Sequence, residues 1–81
     1  MRMHTKLLGF SAVVIPEGRS YSAWSPDLDI ASQGHSIEEA LKNLKEAMEL
    51  HLECLSPLEI REIRSRQKTR LIATLEVPVP V

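Results

Sequence analysis

Within Tyr21–Glu53 an apolar alternation of two residues gives way, around Gly34, to apolar spacings of three and four, and Ser36 stands at the change. That switch constrains the fold more than any compositional figure. A period of two is a strand with one face on a core, and a period of 3.6 is a helix with one face on a core. Ser36 followed by Glu39 forms a capping box, in which the hydroxyl accepts from a first-turn N–H and the carboxylate reaches back to an earlier one. Glu38 and Glu39 also place negative charge where the helix dipole favours it. Ile37, Ala40, Leu41, Leu44, Met48, Leu52 and Leu55 make one apolar stripe. Glu38, Lys42, Lys45, Glu46, Glu49 and Glu53 form the solvated side. Pro57 stops this helix near Cys54 or Leu55. Ser56 and Glu59 then make a second capping box around Pro57, which predicts a short helix over 57–67 with Leu58, Ile60 and Ile63 as its apolar residues.

The strand patterns flank this helix. Leu7–Ile15 carries Leu8, Phe10, Ala12 and Val14 on one face and Leu7, Val13 and Ile15 on the other. Pro16–Arg19 reads as a turn, with Gly18 free to take a positive φ. Ser20–Ser25 sets Tyr21 and Ala23 against Ser22 and Trp24. After Pro26 and Asp27, a third short strand over Leu28–Gln33 alternates Leu28 and Ile30 with Asp29 and Ala31. Short connections between consecutive strands predict an antiparallel meander. Beyond the helices, 70–77 alternates again, with Leu71, Ala73, Leu75 and Val77 against Ile72 and Thr74, and Pro78 and Pro80 end it. The expected architecture is α+β: a three-stranded meander, an amphipathic helix on one face, a short second helix and a fourth strand, all in one domain over 1–81.

A chain of 81 residues builds only a modest core, which favours association. The net charge of −1 does not mark the whole chain as a nucleic-acid or membrane-surface binder. The single cysteine, Cys54, rules out an internal disulfide. The first apolar run is too short for a signal peptide or a membrane span, so a cytoplasmic location is expected.

Catalytic equipment is sparse. Asp27 and Asp29 flank Leu28 and could be paired carboxylates, but Asp27 follows Pro26 as in an ordinary turn and Asp29 alternates outward. The histidines stand apart at His4, His35 and His51. His51 and Cys54 could supply two zinc ligands, half of what a structural site needs, so no metal or cofactor is expected. Gly34 before a helix suggests a phosphate turn, yet Glu38 and Glu39 oppose an anion there. Arg61, Arg64, Arg66, Lys68 and Arg70 form a basic run broken by Glu62. It reads first as a solvated flank and second as a phosphate-contacting surface. Ala47, Leu50 and Cys54 lie beside the main helix stripe, and with Trp24 they suggest an association surface.

Pro26-Asp27-Leu28, Ser32-Gln33-Gly34, Ser36 through Leu41, Asn43 through Ala47 and Glu49 through Glu53 together resemble the HicB family of type II antitoxins. The resemblance covers Tyr21–Glu53 well and the first strand loosely. It implies a partial ribonuclease-H-like βββαβ fold. It also implies binding to HicA, a small mRNA-cleaving toxin, by covering its active site. Many HicB-like proteins add a helix-turn-helix or ribbon-helix-helix after the last strand. Here Pro78–Val81 follows it, so no separate DNA-binding domain and no direct promoter repression are expected. Many also carry a Pro-Gly-Cys-like segment where this chain runs Asp29-Ile30-Ala31, one residue shorter, so loop contacts there do not carry over. Ribonuclease-H-like catalysis needs a metal-binding carboxylate on the first strand, and Leu7–Ile15 has no acid. A scaffold without nuclease activity is therefore expected.

The expected function is that of a non-enzymatic antitoxin-like protein, a dimer or dimer of dimers. Its candidate partner-binding residues are Trp24, Asp27, Asp29, Gln33, His35 and Leu50. The alternative is a nucleic-acid-binding regulator using Arg61, Arg64, Arg66, Lys68 and Arg70. A small metal-dependent hydrolase acting through Asp27 is a third possibility.

Overall fold

Gly18, at φ 61°, closes a two-residue loop with Arg19 and sets the register of the first hairpin. The computed structural model describes residues 7–80. It contains β1 (Val13–Glu17), β2 (Ser20–Ser25), β3 (Ile30–Gly34), α1 (Ile37–Glu53) and α2 (Pro57–Thr69). The strands form an antiparallel sheet in the order β1-β2-β3. Val14, Ala23 and Ser32 lie in one cross-strand row, and Val13, Trp24 and Ala31 in the next. Because side chains alternate between faces, the first row points toward α1 and the second away from it.

The fold is the expected α+β meander followed by two helices, with shifts at its edges. The first strand begins at Val13 instead of Leu7, because β2 ends at Ser25, opposite Ala12, and the turn over 26–29 leaves residues 7–11 with no strand across from them. The third begins at Ile30, since 26–29 is a continuous turn. Asp29 belongs to that turn at φ 54°, a left-handed conformation that Asp tolerates better than most residues. His4 lies outside the described residues.

Ala23, Ala40, Leu44 and Met48 form the buried core, with Phe10, Val14, Tyr21, Leu28 and Ile30 packed around them. The buried stripe of α1 is narrower than its pattern predicts. Ile37 and Leu41 remain partly exposed, and Leu41 faces an open groove beside residues 7–12. Gly34 shows why α1 can sit so close to β3: a Cβ there would stand 2.4 Å from the Ala40 nitrogen and 2.8 Å from the Glu39 carbonyl carbon. Asn43 Nδ2 also donates to the Gln33 carbonyl at 2.7 Å, stitching the two elements together.

Both caps form. Ser36 accepts from the Glu39 amide at 3.0 Å, and Glu39 Oε1 accepts from the His35 amide at 3.0 Å. Ser56 accepts from the Glu59 amide at 3.2 Å, with Pro57 in the first turn of α2. Among the described residues the expected fourth strand over 70–77 has no strand partner. Residues 70–80 have no ladder, turn or bend, and 71–80 are exposed throughout. Helix α2 ends beside Gly9 and Asp27, so the tail departs from the side of residues 7–12 that faces β2, away from the free edge of β1.

Candidate functional site

The β2–β3 turn separates its two carboxylates into different jobs. Asp27 turns inward with its side chain 1% exposed, and its Oδ2 accepts from the Ser11 amide at 2.7 Å. Arg70, just past α2, brings its guanidinium to 2.6 Å from Asp27 Oδ1. Burial pushes this carboxyl's pKa up, but the Ser11 amide, the Arg70 guanidinium and the Gln67 amide outweigh that and hold it below the ordinary value. Asp27 is therefore a structural anion that locks α2 and the approach to β1 onto the turn. Its carboxylate offers no surface to a partner, which corrects the expectation that it would. It also leaves no free carboxylate pair with Asp29, because each acid is engaged by a different neighbour.

Asp29 serves the outer side of the sheet. Its Oδ1 accepts from Trp24 Nε1 at 2.9 Å, which fixes the indole on the sheet face that α1 leaves uncovered. Trp24 is 37% exposed, and Val13 and Ile15 are partly exposed on the same face. Gln33 is exposed there too, in the row of Ser22 and Ile15. Trp24, Asp29 and Gln33 thus come together with Val13 and Ile15 as one patch. It combines an apolar body, a held aromatic ring and a polar rim, the composition of a small protein-binding surface.

The other candidate residues lie elsewhere. His35 is exposed in the β3–α1 connection, and the bond it makes comes from its backbone amide. Leu50 is exposed on α1, and Cys54 is exposed at its end. The visible side of α1 carries Glu38, Glu39, Glu46, Glu49 and Glu53 against Lys42 and Lys45, with one exposed ion pair between Lys45 and Glu49 at 3.9 Å. On α2, Arg61, Arg64 and Lys68 recur at spacings of three and four and so share a side. Arg66 points elsewhere, and Arg70 is taken by Asp27.

Sequence reasoning passed over Asn43, Gly34 and Gln67 as structural links. Asn43 left one signal, a poor helix former inside an otherwise favourable helix, where such a side chain tends to find a backbone group outside it. Gly34 signals only a turn before a helix, since its contact with the α1 backbone comes from residues five and six positions on. Nothing local marked Gln67, whose Nε2 donates to the Gly9 carbonyl at 3.0 Å across 58 positions of chain.

Among the described residues, no three His, Cys, Asp or Glu side chains gather closely enough to hold a metal ion. No described helix is long and apolar enough to cross a membrane. No family model matches the chain. No solved structure matches it either. A UPF0150 protein of Helicobacter pylori is 40% identical over 68 residues, which cover 83% of this chain and 92% of that protein. Identity at that level across nearly all of the relative shows that the chain belongs to the UPF0150 family.

Proposed function

We propose that this protein is a non-enzymatic binding module of the HicB antitoxin kind, which holds a small HicA-type mRNA-cleaving toxin and covers its active site. The observation that carries the reading is the Trp24 patch. A ring held by Asp29 on an uncovered sheet face supplies a preorganised anchor, flanked by Val13, Ile15 and Gln33. Such anchors contribute most of the affinity in protein interfaces. The resemblance across Tyr21–Glu53 supplies the class of partner. The acidic exposed side of α1, with five Glu against two Lys, suits a basic RNA-binding toxin and would speed its capture.

The test is co-expression with the product of the neighbouring small open reading frame. The two chains are expected to co-purify, and growth inhibited by that product is expected to recover. Failure of both ends the antitoxin reading. A second reading, a nucleic-acid-binding regulator, rests on the shared side of Arg61, Arg64 and Lys68. It requires duplex binding that weakens steeply with salt. No binding at roughly 50 mM salt removes it.

A further inference from the structure

Among the described residues, two stretches with strand patterns lack strand partners: residues 7–12, which run into β1, and residues 71–77, which follow α2. β1 is an edge strand, and its register determines which backbone groups are free. A two-residue hairpin closes on a hydrogen-bonded pair, so odd-numbered residues of β1 bond toward β2 and even-numbered ones face the open edge. The same parity continues upstream. The Ser11 amide turns to Asp27 and the Gly9 carbonyl to Gln67, both on the β2 side. Leu8, Phe10, Ala12 and Val14 therefore direct their backbone groups to the unpaired edge. Pro16, with no N–H, closes the far end of that edge.

Beside the edge, between residues 7–12 and α1, runs an open apolar groove of about 740 Å³ whose walls include Leu8, Phe10, Ala12, Leu41, Met48 and Leu52. The tail has the pattern to fill it. Leu71, Ala73, Leu75 and Val77 form an apolar face, Ile72, Thr74 and Glu76 the other, and Leu71 and Leu75 are 87% and 83% exposed. Seven extended residues span roughly 23 Å, close to the roughly 26 Å of a 17-residue helix such as α1. Pro78 and Pro80 end the pairing capacity just where the groove would end.

We propose that residues 71–77 of one protomer pair with the 8–14 edge of a second copy, reciprocally, and lay Leu71, Ala73, Leu75 and Val77 into its groove against α1. A second copy is the occupant because the tail leaves Arg70 on the β2 side of residues 7–12, held there by the Asp27 and Gln67 contacts. Its own free edge lies across that segment. The radius of gyration of 15.8 Å, against roughly 12 Å for a compact chain of this length, fits an arm that reaches outward. An open edge and an apolar arm are each aggregation hazards alone, and exchanging arms removes both. The pairing leaves the Trp24 face free and does not rest on the toxin-binding reading.

Size-exclusion chromatography with light scattering on the full chain, with no other protein present, tests the proposal. A species of twice the 9.1 kDa chain mass is expected at micromolar concentration. Leu75→Asp, placed in a segment outside the core, should weaken that dimer on the order of a hundredfold or more because the lost contact counts twice per dimer. Its helical circular dichroism should stay unchanged. Amide exchange should show residues 71–77 and the even positions of 8–14 protected in the dimer and unprotected in the variant. A monomeric wild type, a dimer indifferent to Leu75→Asp, or protected 71–77 amides in a monomer each overturn it.

Discussion

The Arg70 guanidinium lies 2.6 Å from Asp27 Oδ1, and this one contact joins the end of α2 to the turn between β2 and β3. It also sets where the C-terminal arm departs. The carboxylate is buried while the arginine side chain is about one-third exposed, so the pair is anchored from the acid side.

Arg70→Ala strands a buried carboxylate that keeps the Ser11 amide as a partner. The expected loss is about 1–3 kcal/mol, the usual cost of an under-satisfied buried polar group. Urea unfolding of the variant measures it, and a loss within error would mean that water replaces the arginine at no cost.

The same residue gives the chain an acid limb. The folded-state pKa of Asp27 lies below its unfolded value, so its contribution is complete above the ordinary carboxylate value and is lost as pH falls through the folded one. Stability should therefore decline with acid below roughly pH 4. The decline should be shallower in Asp27→Asn, and equal slopes for the two proteins would dismiss Asp27 as the cause.

Gly34→Ala puts a methyl group 2.4 Å from the backbone nitrogen of Ala40. Neither β3 nor the first turn of α1 can yield by rotating a side chain, so the two elements must separate. A destabilisation on the order of 2 kcal/mol or more is expected. A thermal melt with an unchanged midpoint would contradict the close approach of α1 and β3.

Trp24→Ala removes the ring from the uncovered sheet face. If the proposed toxin partner co-purifies, its affinity should fall at least about tenfold, as for an interface anchor. Melting should change little, because the ring packs on the face opposite the core. Asp29→Gly tolerates the left-handed backbone and frees the indole, so it should weaken binding less than the loss of the ring itself. Unaltered affinity in Trp24→Ala would move the binding surface elsewhere.

The legible parts of the fold are those encoded locally. The Ser36–Glu39 and Ser56–Glu59 caps and the Gly18 turn each depend on neighbours within a few positions, and each appears where its residues place it, whereas the first and third strands begin only at Val13 and Ile30, later than their alternation suggests. The site was less legible because its geometry depends on distant partners. Asp27 and Asp29 look alike in sequence, two positions apart. One is buried under Arg70, 43 positions away, and the other is exposed and holds Trp24.

The sequence alone determined that three strands precede a capped helix and that 70–77 has the alternation of a strand, since periodicity and capping are written in consecutive residues. Only the tertiary structure decided which acid is a lock and which a support, why residue 34 must be glycine, and that 70–77 finds no strand partner among the described residues. Those outcomes depend on what stands across a few ångströms of space. A backbone that can pair becomes a strand only where a second edge is within reach.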